Sequence, residues 1–187
     1  MDQPRILSLQ VGLPVEEATT AGPLTTALRK KPVEGPVALG PRALDGDGCA
    51  DLRYHGTEDQ AVCVYADAHY PGWHAWLDRD PEDFPFGSFG ENFTVAGMDE
   101  STVHVGDRWR VGSALVEVTK PRQPCATLNK VHARPDLAAH MGREDLTGWY
   151  LRVIEPGEVA AGDAIELVAR DAAAPTVLEA WRAVRGC

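Results

Sequence analysis

The chain has 187 residues, of which 44% are hydrophobic and 25% charged, a size and balance that suit one compact domain whose core needs no disulfide staples. Its formal net charge of −10 argues against nonspecific binding to nucleic-acid polymers or anionic membranes, so any basic site has to be a local pocket. The first ten residues lack the basic-then-apolar pattern of a signal peptide and no apolar run reaches the ~18–20 residues of a membrane span, so a cytoplasmic location is expected.

Glycine and proline interrupt the sequence about every eight to twelve residues, with short β-rich runs between them, which is the rhythm of a sandwich or barrel. In chain order the pattern predicts a strand at Ile6–Val11, candidates at Leu24–Leu28, Val37–Leu39 and Ala50–Tyr54, and a strand at Ala61–Tyr65. Ala66–Leu77 reads as a helix, with Trp73, Trp76 and Leu77 at helical spacing and Pro71 interrupting its early part. The stretch Asp78–Gly90, rich in Pro, Gly and Phe, carries no periodicity and is the kind of loop that covers a site. Strands follow at Asn92–Val95, Arg108–Val111 and Leu115–Thr119, the last two joined by a tight turn at Gly112-Ser113. Pro135–Met141 reads as a short helix with proline in its first turn, and Tyr150–Ile154 and Ala164–Val168 as strands. Thr176–Arg185 is expected to close the chain as a helix with apolar Val177, Leu178, Trp181 and Val184. Two phrases, Val105-Gly106-Asp107 and Ala161-Gly162-Asp163, are matching turns that each feed a strand.

The four cysteines, Cys49, Cys63, Cys125 and Cys187, form no CxxC pair and no finger-like cluster with histidine. They read as free thiols in a reducing compartment, neither a disulfide framework nor a zinc site. Cys63 sits in the strand-like Val62-Cys63-Val64-Tyr65 and fits a packed core thiol, Cys49 beside Gly48 a loop or strand-edge thiol, and Cys187 a disordered terminus. Cys125 differs because it closes Pro121-Arg122-Gln123-Pro124-Cys125. The prolines end the preceding strand and hold its exit rigid, and an arginine beside a thiol favours the thiolate, the form that attacks electrophiles and binds metals. A buried, inert thiol remains the alternative at this point.

Three polar groupings accompany it. Arg29-Lys30-Lys31 after Thr25-Thr26 reads either as a solvated face or as a phosphate-binding cluster. Asp51-Leu52-Arg53-Tyr54-His55-Gly56 places His55 on a sharp turn, where it is either structural or exposed to a pocket. Phe89-Gly90-Glu91-Asn92-Phe93 sets an amide at the start of a strand, and its plain reading is a local Asx turn. No nucleophilic triad, P-loop or GxGxxG fingerprint is legible, so ATP and NAD are not expected ligands.

Taken in order, His55-Gly56, Asp59-Gln60-Ala61-Val62-Cys63-Val64-Tyr65, His69-Tyr70-Pro71, Phe86-Gly87-Ser88-Phe89-Gly90-Glu91-Asn92, Val105-Gly106-Asp107-Arg108-Trp109-Arg110, Pro121 to Cys125 and Gly148-Trp149-Tyr150-Leu151-Arg152-Val153 resemble the MOSC domain, named for the C-terminal part of molybdenum cofactor sulfurases. Within that family the chain is most similar to the stand-alone YiiM type, from about Val11 to about Val168. The resemblance implies a mainly β fold: a MOSC-type barrel over residues 1–170 with a few short helices, then a C-terminal helix within 171–187. It implies a molybdopterin-type molybdenum cofactor with Cys125 as the metal ligand and the catalytic residue. Thr26, Arg29 and Lys30 match the region that holds the pterin and phosphate, with His55, Asn92 and Arg122 as further pocket candidates. It also implies reduction of N-hydroxylated compounds such as N-hydroxylated nucleobases, with electrons from a separate donor protein. At the level of the family it implies pyridoxal phosphate binding as well. Longer YiiM-type members continue into three C-terminal helices, whereas the residues after Thr176 suffice for one, which leaves the electron donor and substrate open. Two other functions fit the same cysteine: a sulfur-transfer module cycling through a persulfide, and a barrel that binds a cofactor without turnover.

Overall fold

The computed structural model describes residues 3–19, 22–53 and 55–186. Tyr54 and Cys187 therefore lie outside the described residues. The strands are β1 (Arg5–Val11), β2 (Val15–Thr19), β3 (Gly22–Thr26), β4 (Lys31–Pro32), β5 (Val37–Leu39), β6 (Val62–Ala66), β7 (Phe93–Ala96), β8 (Arg108–Val111), β9 (Ala114–Pro121), β10 (Trp149–Glu155), β11 (Gly157–Val159) and β12 (Ile165–Ala169). Four short helices complete the chain: α1 (Tyr70–Leu77), α2 (Ala126–Val131), α3 (Leu137–Arg143) and α4 (Val177–Arg185).

One sheet of order β12-β8-β9-β10-β6-β7-β1-β4 forms the frame, and the pairs β5–β11 and β2–β3 lie beside it. The sheet curls because its far members meet. Ile6 N donates to Asp163 O at 3.0 Å, Gly162 N to Ile6 O at 2.8 Å and Ile165 N to Pro4 O at 2.8 Å. The Gly162-Asp163 turn sits in this closure, and the Gly106-Asp107 turn is built alike at the start of β8. Asp163 takes the Ala160 N–H on Oδ2 at 2.8 Å, and Asp107 takes the His104 N–H at 3.0 Å and pairs with Arg170 at 2.5 Å.

Strand alternation divides the interior into two cores. Val62 and Val64, Val116 and Val118, Trp149 and Leu151 point into the barrel with Ile6, Leu9, Phe93 and Trp109. The outer face is covered by α1, α2, α3 and the loop before β7, which bury Tyr65, Tyr70, Trp73, Phe84, Phe89, Leu128, Leu137 and Met141. α4 packs back on this layer, where Trp181 Nε1 donates to Gly142 O at 3.1 Å. Its start is fixed by a capping box between Thr176 and Glu179, which satisfies two otherwise orphaned N–H groups.

Several elements depart from expectation. No strand forms over 50–53, because Asp51 takes the Arg53 N–H on its side chain at 3.1 Å and the His55 N–H on its carbonyl at 3.0 Å, which folds the segment into a turn. The strand expected at Leu24–Leu28 is Gly22–Thr26, registered by pairing with β2. Pro71 does not interrupt a helix. β6 runs to Ala66, a 3-10 turn spans Asp67–His69, and Pro71 lies in the first turn of α1, where a missing N–H costs nothing. The loop Asp78–Gly90 is pinned rather than loose, since Phe84 and Phe89 are fully buried.

Candidate functional site

Arg122 and Cys125 leave β9 between the outer face of the sheet and α2. Arg122 N donates to Gly148 O at 3.0 Å, so the exit of β9 is held against the entry of β10. Gly148 has φ +72 and an added Cβ would come to 2.4 Å from Val64 O, so the backbones meet here only because the residue is glycine. Its own N–H donates to the buried Glu100 carboxylate at 2.6 Å, whose other oxygen meets His69 Nε2 at 2.7 Å. Arg122 is thus fixed from behind by a carboxylate the sequence did not single out.

Arg122 is 5% exposed. Nη2 donates to Phe89 O at 2.5 Å, whereas Nη1 is buried without a partner. No ion pair to a carboxylate holds it among the described residues. Burial works against its charge, but the surrounding Cys63, Tyr150, Cys125 and Glu91 raise it above the ordinary guanidinium value, so it is charged throughout. A buried cation with a free donor is expensive unless something anionic or strongly accepting lies against it.

Cys125 is the N-cap of α2, extended at φ −115 and ψ 157, with a half-buried side chain packed against the outer core. Cys63 occupies the same outer face of β6 as Tyr65 and pairs across the ladder with Tyr150 of β10. Burial pushes the Cys63 thiol up against the opposing pull of the Arg122 charge, which fits a protonated core thiol. His55 is half-buried and lines an open cleft of about 640 Å³ with Arg42, Leu52, Gly56, Thr57, Glu58 and Asp59. Burial and then the Arg122 charge lower its imidazole below the usual value, which keeps it neutral at pH 7.

The remaining sequence candidates surround this group but are more committed. Lys30 and Asp47 form a buried ion pair, with side chains 6% and 8% exposed. Asp47 also accepts the Gly12 N–H at 2.9 Å and Asn92 Nδ2 at 2.9 Å. Asn92 takes the Cys63 N–H at 3.0 Å and donates to Gln10 O at 3.2 Å, so its amide ties β1, β6 and the Asp47 loop together instead of making a local Asx turn. Thr26 is buried and its Oγ1 accepts the Leu28 N–H at 3.1 Å. Arg29 is half exposed, paired with Glu17 at 3.0 Å, and its Nη2 reaches Val131 O at the C-terminal end of α2 at 2.9 Å. The loop of Phe89 and Gly90 is held by Glu91, which accepts the Gly87 N–H at 2.7 Å and the Phe89 N–H at 3.1 Å, with Tyr70 OH on the same carboxylate.

His132, unremarked in the sequence, closes α2 with Nε2 on Ser88 O at 2.7 Å and Nδ1 buried without a partner. Burial lowers it to about 4. The unfolded chain takes up a proton below its ordinary value of about 6.5 while the folded one does not, so stability is full above pH 6.5 and is lost as pH falls towards 4, by up to about 3 kcal/mol. Urea titrations at stepped pH should show this slope in the wild type and a shallower one in His132→Asn, and equal slopes would remove the assignment.

A half-buried thiol suits a soft metal, and the unpartnered Arg122 Nη1 suits an anionic group beside it, so the residues present fit a sulfur-liganded, anionic metal cofactor. The described residues hold no cluster of three or more His, Cys, Asp or Glu side chains that would bind a bare ion. Any metal would therefore bring most of its ligands with it.

Comparison with known proteins follows the same lines. The MOSC domain profile matches residues 51–166, more than half of the chain. YflK of Bacillus subtilis (strain 168) is 39% identical over 165 residues, which span 88% of this chain and 73% of that protein. A protein named reductase from Gibberella moniliformis (strain M3125 / FGSC 7600) is 33% identical over 172 residues, covering 91% of this chain and 30% of that longer one. The crystal structure of YiiM from Geobacillus stearothermophilus superposes with a TM-score of 0.80 at 32% identity, over 97% of this chain and 83% of that one.

Proposed function

Because the chain belongs to the MOSC domain family, we propose that it is a molybdenum-cofactor-dependent reductase of N-hydroxylated compounds, with Cys125 as the protein's ligand to the metal. The observation that carries this reading is the buried Arg122, with Nη1 unpartnered, beside the half-buried Cys125 thiol. The cofactor, when bound, supplies the two-electron chemistry that no side chain here provides.

The residues divide the remaining work. Cys125 offers sulfur from a cap held rigid by the preceding Pro124. Arg122 balances the negative charge of the bound group and cannot move, since Phe89 O and Gly148 O hold it. His55, neutral on the cleft wall, accepts or donates one hydrogen bond to a polar heterocycle without adding charge. Of the groups expected to hold an anionic tail, the half-exposed Arg29 is the one left, since Asp47 takes the Lys30 ammonium and Thr26 is buried on the Leu28 N–H. The overall conversion is R–NHOH plus two electrons and two protons to R–NH2 and water. The electrons come from a separate reductase, replaceable in vitro by a reduced viologen.

Protein purified from a host that makes the cofactor should carry stoichiometric molybdenum and convert 6-hydroxylaminopurine to adenine with reduced viologen. A metal-free protein whose Cys125 yields a trappable persulfide would replace this reading with sulfur transfer. Bound molybdenum without any turnover would leave a binding barrel.

A further inference from the structure

Glu100, in the turn between β7 and β8, is 3% exposed, and both oxygens of its carboxylate are taken. Oε1 accepts the Gly148 N–H at 2.6 Å, and Oε2 meets Nε2 of His69, in the 3-10 turn before α1, at 2.7 Å. The backbone of the same turn grips α4. Leu178 N donates to Glu100 O and Val177 N to Val103 O, each at 2.8 Å, which satisfies two N–H groups that a helix start leaves open. Glu100 is therefore anchored by α4 and His69 on one side and faces the entry of β10 on the other. The φ of +72 at Gly148 and its approach to Val64 O admit only glycine, and glycine has no preference of its own for that conformation. An outside contact has to select it, and the Glu100 carboxylate is that contact. Gly148 O in turn accepts the Arg122 N–H at 3.0 Å, and Cys125 follows three residues later, just past Pro124.

Resting on the reductase reading, we propose that Glu100, oriented by His69, is a positioning residue: by locking the Gly148 peptide it holds Arg122 and the Cys125 thiol in the one arrangement that receives the metal cofactor. Such a contact supplies little net stability, because taking a carboxylate out of water costs about what the pairing gains. It supplies direction instead, since each oxygen accepts a hydrogen bond along its own lone pairs. Neither Glu100 nor His69 touches substrate or cofactor in this scheme. Their effect passes through Gly148, Arg122 and the stiff Pro121–Cys125 segment, in the way that outer partners of a metal ligand orient it.

The test compares Glu100→Ala with Glu100→Gln, which keeps an acceptor for the Gly148 N–H. Stripping one partner from a buried pair also lowers the melting temperature, so Ile165→Ala, a cavity in the barrel core on β12, serves as the stability control. In cofactor-free protein, iodoacetamide alkylation of the Cys125 peptide, followed by mass spectrometry, is expected to run several-fold faster in Glu100→Ala. The half-buried thiol is then no longer held against the outer core. In the molybdenum-loaded protein, kcat for 6-hydroxylaminopurine per bound metal is expected to fall about 10–100-fold. Glu100→Gln should stay near the wild type in both readouts, and so should Ile165→Ala despite its lower melting temperature. Wild-type alkylation and kcat in Glu100→Ala, or equal shifts in Ile165→Ala, would overturn the proposal and leave Glu100 a purely structural residue. If Glu100→Ala does not fold, His69→Ala frees one carboxylate oxygen and should move both readouts the same way. Wild-type values in that variant would overturn the proposal equally. A wild type without molybdenum would instead bring down the reductase reading, and the alkylation rates would then decide alone whether Glu100 places the thiol.

Discussion

Replacing Cys125 with serine is expected to strip molybdenum from the purified protein and to lower turnover of an N-hydroxylated purine by at least about 100-fold, beyond what loss of a supporting shell residue costs. The physical reason is the donor atom. A serine hydroxyl is hard and protonated at neutral pH, whereas the thiolate is soft and suits a metal already bound through sulfur. The same change should not harm the fold. Cys125 caps α2 in extended backbone, and its side chain makes no cap hydrogen bond. Serine is the better N-cap residue there, so the melting temperature should stay level or rise slightly. Metal analysis and thermal denaturation of one preparation check both halves. Retained molybdenum in Cys125→Ser would exclude the cysteine as ligand.

Asp47→Ala should produce the largest loss of stability, about 3–5 kcal/mol, because it removes one partner of a buried ion pair and leaves the other charge stranded. Asp47 also satisfies Gly12 N–H and Asn92 Nδ2, so two further donors lose their acceptor. In a chain of this size the melting temperature should fall by about 10 °C or more. The double variant Asp47→Ala with Lys30→Met removes the stranded charge and should recover a substantial part of the loss. The exposed pair of Arg53 with Asp51 supplies the contrast, since Asp51→Ala should leave melting unchanged within error. A small effect at Asp47 would mean that water reaches Lys30 and that its ammonium remains available to a ligand.

These two sites mark where the sequence was legible and where it was not. Cys125 stood out because two prolines and an arginine precede it, features that act over a few residues and are visible in one dimension. β1, β6, β9 and β10 were legible because short runs rich in β-branched and aromatic residues stand between glycine and proline punctuation, even where, as in β6, both faces are buried. α2 was not seen, since six residues after two prolines offer no periodicity to detect, and β11 is three residues whose pairing with β5 is wholly tertiary. Arg29-Lys30-Lys31 read as three similar cations. The fold separates them, with Lys30 buried against Asp47 and Arg29 half exposed. No local signal distinguishes Asp47 in its glycine-rich loop or Glu100 behind Gly148. Each gains its role from partners distant in sequence.

The seam where Pro4 and Ile6 meet Gly162–Ile165 also bears on how the molecule assembles. Contacts between the first strand and a segment near the last one close a very long loop, and the entropy of that closure must be met before the seam stabilises anything. Such high contact order places folding in the millisecond-to-second range rather than microseconds. During synthesis the Pro4–Ile6 end of β1, on the edge it shares with β4 further along, must wait unpaired until the segment before β12 has emerged. The unfinished barrel is therefore the state most prone to aggregate, and slower translation or a chaperone holding β1 should raise the yield of soluble protein.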